Sequence, residues 1–144
     1  MIEKLINQIH WANTIIIDWL KTEHKRSDEH LKLISHILNA EKVWVSRANL
    51  MEGDRDTFKV HPIEELSLLN DSCHLAWKEL LQKDMQHEIS YKLFDGTPYE
   101  STIETMILHV FSHGFHHIGQ MAAIASSSGE KFPNVSYIAF ARKK

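Results

Sequence analysis

From residue 3 to residue 24, Ile6, Ile9, Ala12, Ile16, Trp19 and Leu20 recur at helical spacing, with Leu5 beside them. Polar residues fill the positions between, so the segment is predicted to be a helix with one apolar stripe. Ser27 is placed to cap a second helix, with Asp28 and Glu29 in its first turn favouring the positive end of the helix dipole. That helix is expected to run to about Met51, with Gly53 just past its end. The stretch Gly53–His61 is polar and loop-like. Pro62 then stands where a first helical residue should, followed by Glu64 and Glu65. The third helix is expected to reach about Gln86 and to bury Leu66, Leu69, Cys73, Trp77, Leu80 and Leu81.

The period changes at residues 88–100. Ile89, Tyr91 and Leu93 alternate with polar neighbours and Asp95-Gly96 marks a turn, which predicts a short hairpin or extended excursion. Ser101-Thr102-Ile103-Glu104 is a capping-box pattern opening the fourth helix. That helix carries Met106, Ile107, Val110, Met121 and Ile124 and stops near Ser128-Gly129. In the tail, Phe132, Tyr137, Ile138 and Phe140 are expected to dock on the helices rather than hang in water. Four helices with one apolar stripe each must bury those stripes against one another. The expected fold is all-α, an antiparallel four-helix bundle in a single domain over residues 1–144. The connections from helix 1 to 2 and from helix 2 to 3 are short enough for antiparallel neighbours.

Composition narrows the function. Scarce Gly (5) and Pro (3) favour helices over a turn-rich β fold. Sixteen Lys and Arg stand against 19 Asp and Glu, a net charge of −3, and no basic stripe lies on any predicted helix. Nucleic acid is therefore not an expected partner. No apolar run is long enough to span a bilayer, and the start Met1-Ile2-Glu3-Lys4 passes straight into an amphipathic pattern, so no membrane partner is expected either. The single Cys73 suits a reducing, cytoplasmic setting.

The unusual count is 11 histidines. His109, His113 and His117 are spaced i, i+4, i+8 and share one helix face. Two histidines four apart can chelate one ion from adjacent turns, so His109/His113 and His113/His117 are both candidate pairs. With this many histidines about one such pair arises by chance. A third ligand should come from a facing helix. His36 is the candidate, because it shares a wheel face with Leu33, Ile37, Ala40 and Val43, where an imidazole needs a polar partner. His10, His24, His30 and His87 are expected at the surface, His61 in a loop or cap and His74 on a helix surface. His116 projects away from His117, toward a neighbouring helix or subunit. Gln120, three residues beyond His117, is placed to orient a ligand, to touch a substrate, or to stand as a polar residue at a pocket mouth. Trp11, Trp19, Trp44 and Trp77 are expected in the core or at a subunit interface.

Taken with His36-Ile-Leu-Asn-Ala-Glu41-Lys-Val-Trp44, the His109–Gln120 segment and Phe132-Pro-Asn-Val-Ser-Tyr137-Ile, the chain resembles the DinB-like superfamily, which includes YfiT-like metal hydrolases and thiol transferases. The resemblance covers nearly the whole chain. It implies a four-helix bundle and a three-histidine metal site at His36, His113 and His117, choosing the second pair over His109/His113. It departs from the family at Ile118, where Arg is frequent, and at Ser136, where Asp is frequent. It implies a divalent transition metal, zinc or nickel, and a metal-dependent hydrolase or low-molecular-weight-thiol transferase acting on a small molecule, such as a thiol and an electrophile. The alternative is a non-catalytic, metal-stabilised stress or interaction protein. A homodimer is expected, since such bundles commonly pair through a helix face. No HExxH pattern is present, which disfavours a zinc-protease mechanism.

Overall fold

The computed structural model describes residues 1–22 and 27–142. It is mostly helical, with five helices and one two-stranded sheet. Helix α1 covers Ile2–Thr22; residues 23 and 24 of the expected helix, His24 included, lie outside the described residues. Helix α2 (Asp28–Ala48) opens as expected, with the Ser27 hydroxyl accepting the Glu29 amide at 3.1 Å. Helix α3 (Ile63–Leu80) starts one residue later than expected, with Pro62 as its cap, and stops six residues short of Gln86. The Asp84 carboxylate accepts the Gln86 amide at 3.0 Å, a local turn that replaces the helical bond. Strands β1 (Glu88–Lys92) and β2 (Pro98–Thr102) form the expected hairpin, antiparallel with Tyr91 opposite Tyr99, and Gly96 supplies the turn with φ +90°.

Helix α4 spans Ile103–Ser127. Its capping is simpler than the expected box: the Thr102 hydroxyl accepts the Thr105 amide at 3.1 Å, and Glu104 accepts instead from the Gln86 side chain. The docking tail contains a helix the pattern was too short to announce, α5 (Tyr137–Arg142), and packs Phe140 on Trp11 and Phe132 on Trp19. Among the described residues no helix is long and apolar enough to cross a membrane.

Both α2 and α4 end in Schellman motifs. On α4 the left-handed residue is Gly129, φ +72°, and the Glu130 amide reaches the Ala125 carbonyl at 2.8 Å. On α2 the equivalent residue is not Gly53 but Leu50, φ 56°, with the Met51 amide on the Ser46 carbonyl at 2.8 Å. A side chain in this conformation costs about 1–2 kcal/mol, and Leu50 is 76% exposed, so its burial returns little. Leu50→Gly is expected to raise stability by about 0.5–1 kcal/mol after the extra freedom of an unfolded glycine is subtracted. Urea unfolding checks this, and a clear loss of stability would refute it.

Two core clusters set the helix directions. One joins Ile6 and Ile9 from the start of α1, Val45 and Ala48 from the end of α2, Trp77 and Leu80 from the end of α3, and Ile103, Met106 and Ile107 from the start of α4. The other joins Ile16 and Leu20 of α1, Ile34 and Leu38 of α2, Ile63 and Leu66 of α3, and Ile118 and Met121 of α4. Helices α1 and α4 therefore run one way, and α2 and α3 the other. Helices α2 and α3 are parallel, and α1 packs mainly on α3 and α4 rather than on α2, so neither connection joins the antiparallel neighbours expected of it. Residues 49–62 run back along α2 before α3 begins, and α2 itself holds them. The Ser35 hydroxyl accepts the His61 amide at 3.1 Å, and Asn39 Nδ2 donates to the carbonyls of Lys59 at 2.8 Å and Thr57 at 3.3 Å. His61 Nε2 meets Asn39 Oδ1 at 2.6 Å, which makes this loop histidine a brace.

His30 also departs from its expected surface position. It is fully buried, with Nε2 on Glu130 Oε1 at 3.1 Å and its ring edge-on to Trp19. The α4 Schellman motif delivers Glu130, and the docked tail brings Phe132 to 6.5 Å from the same ring; neither is near His30 in sequence. His10 and His74 are half-buried and stack on each other at 4.1 Å between α1 and α3. His87 is exposed, as expected.

Candidate metal centre

Because α2 and α4 are antiparallel neighbours, the middle of one faces the middle of the other. Gly114 sits at this crossing, where an added Cβ would meet Ile37 Cγ2 at 3.7 Å. His36 projects from α2, and His113 and His117 from successive turns of α4. Their ring centroids are 5.0 Å (36–113), 4.8 Å (36–117) and 4.6 Å (113–117) apart. One ring nitrogen from each can be chosen so that all three lie within 4.8 Å of one another. A tetrahedral ion with bonds of about 2.0–2.1 Å holds its donors roughly 3.4 Å apart, so small side-chain rotations close the set.

The hydrogen bonds test whether these donors fit an ion. His36 Nδ1 lies 2.9 Å from the Thr57 carbonyl oxygen. A carbonyl only accepts, so Nδ1 carries the proton and Nε2 keeps its lone pair. His117 Nδ1 lies 2.7 Å from Gln120 Oε1, with the same consequence. Two of the three imidazoles thus have one nitrogen engaged and, among the described residues, the other free, the arrangement in which outer partners orient metal-binding histidines. Burial, then the neighbouring imidazoles of His117, His36, His109 and His116, pull the His113 pKa down to about 4. It is neutral across the physiological range, as a ligand must be.

The donor set fits a borderline divalent ion: three imidazole nitrogens from two helices, with room in the coordination sphere for a further ligand. His109 stands outside the cluster. Its ring is 4.9 Å from Trp44 and 5.8 Å from His113, and burial followed by the Arg47 charge lowers its pKa. His116 is exposed, its ring 5.0 Å from His117. Trp77 is buried in the core, and the other three tryptophans are half-buried.

Two supports were not readable from the sequence. Phe58 stacks on His36 at 4.7 Å, nearly parallel, and the adjacent Thr57 carbonyl fixes the tautomer. A backbone carbonyl leaves no mark in a sequence, and Phe58 stood in a stretch that reads only as polar loop. Gln120 was legible, three residues past His117 on the same helix. Ile118, where the family often has Arg, is buried in the core beside Met121. Ser136 is exposed and its hydroxyl accepts the Ala139 amide at 3.4 Å, at the start of α5.

No curated protein matches this chain. The model of one family does, over residues 4–144, which is nearly the whole length. Its helical fold and three clustered histidines agree with that match: the chain belongs to the DinB family.

Proposed function

We propose that His36, His113 and His117 hold one divalent ion, zinc or nickel, and that the protein is a metal-dependent enzyme, either a hydrolase or a transferase of a low-molecular-weight thiol. The proposal takes residues 1–144 as a single domain, the four long helices as a bundle of the DinB kind, and the working form as a cytoplasmic homodimer. The observation that carries it is the pair of imidazoles whose Nδ1 atoms are occupied by Thr57 and Gln120, leaving both Nε2 atoms free beside a neutral His113. An ion bound there would acidify a coordinated water or thiol and so supply a nucleophile near neutral pH. The chain's own part is to present three neutral donors, to hold His36 and His117 in fixed tautomers, and to shield His36 with Phe58.

A second reading is a metal-stabilised stress or interaction protein without catalysis. It is favoured by the origin of the ligands on two helices, since an ion would then fasten α2 to α4. The experiment is a conjugation assay of small thiols with electrophiles, run beside ester hydrolysis, on metal-free and zinc- or nickel-loaded protein. Metal-dependent turnover that His117→Ala removes is the expected result. No turnover on any substrate, with a large metal-dependent rise in melting temperature, would displace the enzyme reading in favour of the second.

A further inference from the structure

A cleft of about 490 Å³ lies between the last turn of α2, residues 50–55 and the hairpin turn. Arg47 lines it. The guanidinium sits 4.7 Å from the Trp44 ring, 5.2 Å from Tyr91 and 5.3 Å from Phe94. Three aromatic faces hold the charge in place while leaving its N–H donors unused. Among the described residues no carboxylate pairs with Arg47 and its side chain makes no hydrogen bond. Half-burial lowers its pKa from the ordinary guanidinium value, as expected for a cation short of solvent. Arg55 flanks the same ring from its other neighbour, 5.7 Å from Phe94, and donates from Nη1 to the Phe94 carbonyl at 3.3 Å.

The charge of the lining selects a class of ligand. Arg47, Arg55 and Lys92 oppose Glu52 and Asp95, three positive groups against two negative, which leaves one positive charge on a chain of net −3. Asp95 is engaged by the turn, accepting the Thr97 amide at 2.9 Å. The exposed apolar side chains of the lining are Leu50, Met51 and Phe94. Leu50 is the residue held left-handed at the end of α2, which puts a strained backbone position at this cleft.

We propose that this cleft binds a small organic monoanion, a carboxylate on an aromatic or aliphatic body, with Arg47 on the carboxylate and Leu50, Met51 and Phe94 against the body. An Arg fork suits a carboxylate, and the flanking apolar side chains suit a body that gains from leaving water. A dianion such as phosphate exceeds the single net charge and has nothing to offer the apolar part. None of His36, His113 and His117 lines the cleft, so the proposal stands without the metal reading.

The test is a titration of the ¹⁵N-labelled full chain with 3-phenylpropionate, its uncharged analogue 3-phenylpropanol, and inorganic phosphate, followed by amide chemical shifts. Phenylpropionate is expected to bind saturably and to shift the amides of Arg47, Leu50, Tyr91 and Phe94. The alcohol and phosphate are expected to bind at least tenfold more weakly. Arg47→Gln should lose at least tenfold for the acid and leave the alcohol unchanged, and Arg47→Lys should recover part of the loss. If Arg47→Gln fails to fold, the three-ligand comparison on the unsubstituted protein decides. The proposal is overturned if the alcohol or phosphate matches the acid, if no ligand saturates at millimolar concentration, or if the shifts fall elsewhere.

Discussion

His113→Ala is expected to lower the affinity for zinc or nickel by at least 100-fold, about 2.8 kcal/mol at roughly 1.4 kcal/mol per factor of ten. His113 is one corner of a nearly equilateral triangle of rings, 5.0 Å from His36 and 4.6 Å from His117, with His36 and His117 4.8 Å apart. Burial and its neighbours already hold it neutral, so it binds an ion without first releasing a proton. The remaining two imidazoles sit on different helices and must then hold the ion with two protein donors in place of three. The fold should survive, because His113 is only half-buried and no core cluster includes it. Calorimetric titration of metal-free protein, with the melting temperature of the metal-free form as control, measures both. Equal affinity in the variant would remove His113 from the site. Because protonation of His113 competes with the ion, binding in the unsubstituted protein should weaken as pH falls toward about 4.

The second large effect belongs to Glu41. This residue is 3% exposed, inside the packed helices. Its Oε1 accepts from Trp77 Nε1 at 3.2 Å, and its Oε2 has no partner among the described residues. Burial raises its pKa from 4.5 to about 8, against a smaller lowering by the Trp77 bond. Between those values the folded chain binds a proton that the unfolded chain has released. Its contribution is therefore fully present below pH 4.5 and is lost as pH rises toward 8. Each pH unit in that window costs about 1.4 kcal/mol, on the order of 3 kcal/mol by pH 7.

Glu41→Gln keeps an acceptor for Trp77 and cannot ionise. The variant should gain on the wild type steadily as pH rises from 5 to 8, read as a widening gap in urea midpoint. His113 acts with the opposite sign: its folded pKa is depressed to about 4, so its contribution is lost as pH falls. That term is common to both proteins and cancels in the difference. A gap that stays constant with pH would mean that Glu41 is ionised in the folded protein at all these values.

Periodicity was enough for the elements whose determinants are local. The stripe of Ile6, Ile9, Ala12, Ile16 and Leu20 became the buried face of α1, and Ser27 became the cap of α2. The alternation at Ile89 and Tyr91 became β1, with Ile89 in the core. At His30 and before Pro62, a partner distant in sequence intervened. His30 is buried because Glu130, 100 positions away, reaches it. The polar stretch before Pro62 returns along α2 because Ser35 and Asn39 bind its backbone, and hydrogen bonds to main-chain atoms carry no compositional signature.

The metal centre divides in the same way. A rigid helix repeats every 3.6 residues, so spacing alone placed His113 and His117 on one face, and the match to Gln120 followed from the same geometry. Spacing could not choose between the overlapping pairs, nor bring His36 within reach. That required α2 and α4 to lie antiparallel with their middles in contact, a long-range outcome of burying four stripes together. The free nitrogen of His36 was decided later still, by the Thr57 carbonyl on the returning loop. Which residues share a face follows from local spacing, because helical geometry is short-range and periodic. Which faces meet, and which ring nitrogens are left free, follow from packing, because both depend on contacts between segments far apart in the chain.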